Sequence, residues 1–308
     1  MTHLDSESRK LIIIIPAYNE AKRIRETVTA LLGIRQKFAN EGVAVFFYVV
    51  DDGSEDETRR LASEAGADRV LRHKVNQGLG AAVRSGLSAA RADAADIVVK
   101  FDADLQHKPE DIFAVVQPIL NDYADVVYGN RLEGIEYKMP LVRRCGNIVF
   151  TALMRWLTGW PLKDSQPGIF AVDKAYLEIF YLPGNYNYTQ QILLDAYHKG
   201  MRFAHVPVVF RKRITGKSFI SFAYPFKVLP QIIMVLVGVK PMRIFAPVGF
   251  LALSVGGVLF AYELALWFMG MSPKPAIHVY AILGFSLFGL QTLFFGMLAE
   301  LIVQFQRK

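Results

Sequence analysis

One cysteine, Cys145, stands in 308 residues. No internal disulfide can form, and Cys145 is expected to be a packing residue. Histidine is scarce too, with six in the chain, and no His/Cys cluster suggests zinc. Acid is missing from one long stretch. Between Ala196 and Tyr262 there are nine Lys or Arg and no Asp or Glu, whereas the first 195 residues hold 26 acids and 23 basic residues. A cationic run beside apolar segments points to phosphate groups, of lipids or of a substrate. No nucleic-acid motif accompanies that charge, so nucleic acid is not the expected partner. The N-terminal stretch "MTHLDSESRKLIIIIPAYNE" lacks the features of a signal peptide, because acids precede the apolar run and Pro16 interrupts it. The N-terminus is therefore expected in the cytosol.

The first part of the chain alternates apolar runs with helical patterns. "LIIIIP", "VAVFFYVV", "RVLRH", "DIVVKF" and "ADVVYGNR" read as strands. "AKRIRETVTALLGIRQKF" and the small-residue "QGLGAAVRSGLSAARA" read as helices. Ser54 or Asp56 is placed to cap the helix after "DDGS". Another helix is expected to begin at Pro109, a residue favoured in a first turn. This order implies an α/β fold, a Rossmann-like mostly parallel sheet with helices on both faces. In such sheets ligands bind beyond the carboxyl ends of the strands. The clusters "AYNE", "DDGS" and "DADLQ" each follow an apolar run, so three strands deliver polar groups to one edge. Gly78 and Gly80 are expected to let their helix approach the sheet closely.

The last part differs. Ile244 to Met269 carries one charge, Glu263, and Ala276 to Phe305 carries Glu300 near its end. Each is long enough to cross a hydrocarbon core, for which about 20 residues suffice. Lys240 and Arg243 flank the first span, Arg307 and Lys308 the second, and only Lys274 lies in the short linker. The positive-inside tendency then puts both ends in the cytosol and the linker outside. Glu263 is expected to snorkel, to pair with Lys274, or to face a partner helix. The intervening segment, with Pro225 and Pro230, reads as interface helices. Expected boundaries are 1–218 for a cytosolic domain, 219–243 for the interface helices, and 244–308 for an anchor with spans 244–269 and 276–303. Two spans per chain would pack better in a homo-oligomer than alone.

Asp102, Asp104 and Gln106 carry the most distinctive chemistry. Residues two apart on an extended segment point to one side. Their hard oxygens suit Mg²⁺ or Mn²⁺. A glycosidase-like acid/base pair also uses two carboxylates, but draws them from separate elements at larger spacing. The neighbouring His107 is expected to be exposed.

"IPAYNE", "VVDDGS", "NQGLGAA", "DADLQHKPED", "YGNR" and "DSQPGIF" occur here in the order seen in family 2 glycosyltransferases of the GT-A fold. With the "RKRITGKS" loop and the apolar C-terminus, the chain resembles their polyprenyl-phosphate hexosyltransferases, the dolichyl-phosphate mannose synthase type. The resemblance implies a nucleotide pocket lined by Pro16, Tyr18, Glu20, Val50, Asp51 and Asp52. It implies a metal and diphosphate site at Asp102, Ala103, Asp104 and Gln106. Arg131 would contact phosphate, Arg143 or Arg144 would hold the lipid phosphate, and Arg213 would begin a basic loop over the donor. The implied partners are a nucleotide diphosphate sugar (GDP-mannose or UDP-glucose), a polyprenyl phosphate and the lipid bilayer.

Two positions depart from the family pattern. Gln191 stands where an acidic residue is usual, so either the carboxylate is not needed or Asp195, one turn later, substitutes for it. Phe219 follows Ser218 where Lys is usual, so Lys217 is left to reach a phosphate. A processive polysaccharide synthase is the rival enzyme, disfavoured by having only two spans and by Ala152 in place of the Gln of Q-x-x-R-W. A membrane-anchored binder of sugar nucleotides without catalysis is the other alternative.

Overall fold

Leu11 to Ile15 have no solvent exposure, and they form the middle of β1 (Arg9–Ala17), the central strand of the N-terminal half of the sheet. The β-branched run suits a strand covered on both faces. The computed structural model describes residues 8–104, 106–131, 141–182, 184–185, 187–209 and 241–306. The chain divides into two compact units, Met1–Ser218 and Phe219–Lys308.

In the first unit a seven-stranded sheet has the order β3-β2-β1-β4-β6-β5-β7. Its other strands are β2 (Val43–Asp51), β3 (Arg69–Arg72), β4 (Ile97–Lys100), β5 (Val126–Asn130), β6 (Phe170–Asp173) and β7 (Phe203–Pro207). β1 pairs in parallel with β2 and β4, β2 with β3, and β5 with β7. β6 runs antiparallel to both β4 and β5. The sheet is therefore mixed, parallel in four of its six pairings. Neither β6 nor β7 was anticipated from the sequence, since each has only four or five residues.

The helices of this unit are α1 (Ile24–Leu32), α2 (Arg35–Ala39), α3 (Thr58–Glu64), α4 (Leu79–Ala92), α5 (Asp111–Leu120), α6 (Leu141–Thr158), α7 (Lys174–Ile179) and α8 (Tyr188–His198). The main core joins one face of β1, β2 and β4 to α1 and α5 through Ile13, Ile15, Val28, Phe47, Val99, Phe101 and Ile112. α5 begins at Asp111, two residues after the expected Pro109, and Pro118 lies inside it. The Asp111 carboxylate accepts from the Lys108 amide at 3.2 Å, which holds residues 108–111 as a turn instead. Asp56 serves the start of α3 from two residues upstream, accepting the Thr58 amide at 3.0 Å, while Ser54 Oγ turns to the Asn19 amide. The close approach expected of Gly78 and Gly80 falls elsewhere. A Cβ on Gly80 would lie 2.4 Å from the Asn185 carbonyl oxygen, whereas Gly86 is the glycine that meets the sheet, at Ile14.

In the second unit α9 (Met242–Phe268) and α10 (Val279–Gln306) pack against each other. Both are long and apolar enough to cross a membrane. They begin and end within a few residues of the expected spans. Small residues set their contact: a Cβ on Gly249 or Gly289 would strike the facing helix at under 3.0 Å. Glu263 neither pairs with Lys274 nor faces outward. It is buried and accepts the Ile277 amide at 2.5 Å and His278 Nδ1 at 2.6 Å, closing the start of α10. The segment expected as interface helices lies outside the described residues up to position 240.

Candidate active site

Three strand ends that adjoin in the sheet carry the three polar clusters. Pro16 and Ala17 of β1 sit opposite Val50 and Asp51 of β2. Ile14 sits opposite Lys100, the last residue of β4. "AYNE", "DDGS" and "DADLQ" thus share one edge, as the alternation of the sequence predicts.

The first two loops are laced together. The Asn19 amide donates to Ser54 Oγ at 3.0 Å, the Glu55 amide to Asn19 Oδ1 at 3.0 Å, and the Glu20 amide to Thr58 Oγ1 at 2.8 Å. Gly53 adopts φ +74°, and a Cβ there would lie 2.5 Å from the Val75 backbone, so the turn requires glycine. Asp51 and Asp52 are both buried. Asp51 accepts the Ser54 amide at 2.9 Å. Asp52 accepts His73 Nδ1 at 2.6 Å and the amides of Gln77 and Gly78 at 3.0 and 2.8 Å, which anchors the start of α4. Its carboxylate is therefore occupied in holding the loop before α4. Tyr18 is 44% exposed, whereas Pro16 and Val50 are buried.

The carboxylate turn follows β4. Thr27 of α1 donates to the Ala103 carbonyl at 3.0 Å and pins the turn from below. Asp102 and Asp104 are partly exposed, while Gln106 is buried. Asp104 Oδ1 accepts the Gln106 amide at 3.1 Å. Asp102 Oδ1 accepts from Lys100 Nζ at 2.5 Å, and Lys100 also donates to the Gly168 carbonyl at 2.8 Å. Among the described residues no three His, Cys, Asp or Glu side chains are preassembled around a metal. The donor set still fits a hard divalent ion, because two carboxylates and an amide, all oxygen donors, lie within five residues of one turn. His107 corrects an expectation. It is 2% exposed, and burial pushes its imidazole down to about 4 despite the pull of Asp102, so it is neutral at pH 7.

Behind the turn lies a buried ion pair. Arg131 Nε and Nη2 donate to Asp164 Oδ2 and Oδ1 at 2.8 and 3.2 Å, with both side chains almost fully enclosed. Asp164 also accepts from Asn147 Nδ2 at 3.1 Å and the Gln166 amide at 2.9 Å. Burial opposes both charges, but each partner holds the other ionised: Asp164 stays below and Arg131 above its ordinary value. "DSQPGIF" is thus the segment that fixes Arg131, a role its sequence did not reveal. Lys100 was missed as well; its only signal is a cation ending an apolar run.

Gly168 of that segment joins the two halves of the site. A Cβ there would fall 2.2 Å from His107 Nε2 and 3.1 Å from Asp102 Oδ2. Gly168→Ala is expected to lower the melting temperature by several degrees, as an overpacked core costs about 1–3 kcal/mol. Activity, assayed below the new melting point, is expected to fall with it because Asp102 is displaced.

Other expected site residues lie farther out. Gln191 Oε1 accepts the Gly184 amide at 3.0 Å. Asp195 is paired with Lys199 at 2.8 Å and accepts the Tyr181 amide at 3.0 Å. Arg144 is exposed on α6. Arg213, Lys217 and the side chain of Arg143 lie outside the described residues.

The chain is similar to known proteins. Residues 12–180 match the family model described as glycosyl transferase family 2. Over 189 residues the chain is 36% identical to the UDP-N-acetylglucosamine–dolichyl-phosphate N-acetylglucosaminyltransferase of Methanococcus voltae, covering 55% of this chain and 72% of that protein. Over 233 residues it is 31% identical to the dolichol-phosphate mannosyltransferase of Pyrococcus furiosus, covering 72% of this chain and 62% of that one. In fold it is similar to the glucosyl-3-phosphoglycerate synthase of Mycobacterium tuberculosis, solved with Mn²⁺, UDP and phosphoglyceric acid. That likeness has a TM-score of 0.58 at 21% identity, over 74% of this chain and 78% of the other. A family model spanning more than half of the chain, on a sheet that brings the three polar clusters to one edge, establishes that this chain is an enzyme of glycosyl transferase family 2.

Proposed function

We propose that the enzyme transfers a single hexose, mannose or glucose, from a nucleotide diphosphate sugar to a polyprenyl phosphate at the cytosolic face of a membrane, with inversion and with Mg²⁺ or Mn²⁺ required. The observation that carries this reading is the presence, in one chain, of the Asp102–Asp104 turn and of two helices long and apolar enough to cross a bilayer. The relatives named for dolichyl-phosphate acceptors support the acceptor class. Their names differ in the sugar.

Each role follows from chemistry. Pro16, Tyr18, Glu20, Val50 and Asp51 line the nucleotide, with Asp52 shaping the wall through His73 and the 77–78 amides. Asp102, Asp104 and Gln106 would hold the divalent ion, beside Ala103. Bound there, the ion offsets the charge that develops on the leaving diphosphate. Arg131 adds a fixed positive charge whose plane Asp164 sets. Arg213 and Lys217 extend that charge from the basic loop. Arg143 and Arg144 hold the acceptor phosphate, which is already anionic at neutral pH. It needs positioning rather than deprotonation. The amide Gln191 and the engaged Asp195 agree with that, since neither supplies a general base; Gln191 is left to bind a sugar hydroxyl. Residues 1–218 and both chain ends are cytosolic, the C-terminal helices form a two-span anchor, and copies associate through them.

The test uses purified protein in detergent with Mn²⁺ and a polyprenyl phosphate. GDP-mannose, UDP-glucose and UDP-N-acetylglucosamine are offered in parallel, and nucleoside diphosphate release is followed. Release that needs both metal and lipid phosphate is expected with one hexose donor. Release without any lipid requirement would point to another acceptor.

A further inference from the structure

α6 turns an apolar stripe outward. Ile148 and Val149 are 55% and 60% exposed, Trp156 is 51% exposed, and Ala152 is exposed in the turn between them. Arg144 and Arg155 are exposed as well. At about 100° per residue these six positions fall within about 140° of the helix circumference, with the two arginines together along one flank. The surface helices α1 and α3 differ, since they expose Arg25, Glu26, Arg59, Arg60 and Glu64, charges of both signs. α6 carries three arginines, Arg143, Arg144 and Arg155, and no acid from Leu141 to Thr158.

The other side of α6 is committed to the fold. Phe150, Met154 and Leu157 are buried. Asn147 Nδ2 donates to Asp164 Oδ1 at 3.1 Å, and Thr151 Oγ1 accepts the Ser165 amide at 3.2 Å. The helix is therefore amphipathic, and its outward side is apolar with a cationic flank. That pattern suits the boundary between acyl chains and anionic headgroups: the apolar side chains enter the first and the guanidiniums reach the second. A second copy of the same face would offer no acid to either arginine. We propose that α6 lies along an anionic lipid surface, as a membrane seat of the first unit in addition to the C-terminal helices. Its inner side holds Asp164, which pairs with Arg131, so the helix that rests on lipid also carries the ion pair of the site. This inference rests on the membrane-anchored reading above.

Nitroxide labels test this in the full chain, reconstituted in nanodiscs of phosphatidylcholine and phosphatidylglycerol. Cys145 is the one native cysteine, so Cys145→Ser or Cys145→Ala supplies the background, whichever melts as the wild type does. Ile148→Cys, Val149→Cys and Ala152→Cys probe the stripe. Leu251→Cys on α9 and Arg59→Cys on α3, both exposed positions, mark lipid and water. Collisions with oxygen, which concentrates among acyl chains, are compared with collisions with a water-soluble nickel chelate. The oxygen-to-nickel ratio at the stripe is expected to be severalfold above that at Arg59→Cys, as for a face about 5–10 Å into the headgroup boundary. Where neither background folds, Ile148→Trp in the native chain takes its place, and brominated lipid tails are expected to quench the added fluorescence. No quenching would overturn the seat.

A stripe ratio equal to that at Arg59→Cys places α6 in water and overturns the seat, while a lipid-like ratio at Leu251→Cys leaves the anchor reading standing. Low collision with both reagents at the stripe means cover by protein, a second copy or another segment of this chain, and overturns the seat equally. A water-like ratio at Leu251→Cys overturns the anchor reading itself, and the seat with it.

Discussion

Asp104→Asn is expected to lower the rate of sugar transfer by roughly a hundred- to a thousandfold, with the melting temperature unchanged within a degree or two. Asp104 is one of the two partly exposed acids of the turn, and its charge is one of the two that would meet a metal and diphosphate. The substitution keeps an oxygen to accept the Gln106 amide, so the turn stays closed. Only the charge and one hard ligand are lost. Asp104→Ala removes the acceptor too, and is expected to lose at least as much activity with a small further loss of stability. Initial rates across a wide Mn²⁺ range check this. A rate restored by excess metal would show that Asp104 only raises affinity. An unchanged rate, in membranes free of other transferases, would remove Asp104 from the site.

The second large effect is on stability. Asp164→Ala takes away the carboxylate that pairs with Arg131 in a closed site, and removing one partner of a buried ion pair costs about 3–5 kcal/mol. Asn147 and the Gln166 amide lose their acceptor as well. For a unit of this size the melting temperature is expected to fall by roughly 10 °C. Arg131→Met combined with Asp164→Leu is expected to recover most of that loss, because no charge remains buried, while transfer stays lost. The pH dependence follows from the same pair. Asp164 is held below its ordinary value in the fold. Its contribution is present above the unfolded carboxylate pKa, about 3.9, and is lost as pH falls further through the lower folded value. Wild-type stability should therefore fall more steeply below about pH 4 than that of the double variant. Parallel slopes would show that the pair contributes nothing ionic.

The legible parts of the fold were those with an uninterrupted signal. β1, β2, β4 and β5 each show a β-branched or apolar run ending in a polar cluster, and the carboxyl-edge rule then placed Asp51, Asp102 and Asp104 together. β6 and β7 were not legible, because four or five residues carry no periodicity and nothing local marks β6 as antiparallel. Charge pairing was hidden for a different reason. Lys100 and Asp102 are two apart in sequence, but whether they touch depends on Gly168, 68 residues on. Arg131 was recognisable as a cation of the site, while its partner Asp164 lies 33 residues away in a segment that carries no local sign of the pairing. The burial of His107 was hidden likewise, since the closeness of Gly168 is tertiary. Gly86 escaped notice because its role is packing against Ile14 rather than a turn.

One hexose is expected to pass to a lipid phosphate. Mass spectrometry of the lipid product, after incubation with the accepted donor and a polyprenyl phosphate of defined length, tests it most directly. A single species heavier by one hexose residue, absent without metal and absent in Asp104→Asn, is the expected result. A ladder of products, or a sugar product formed equally well without the lipid, would contradict it.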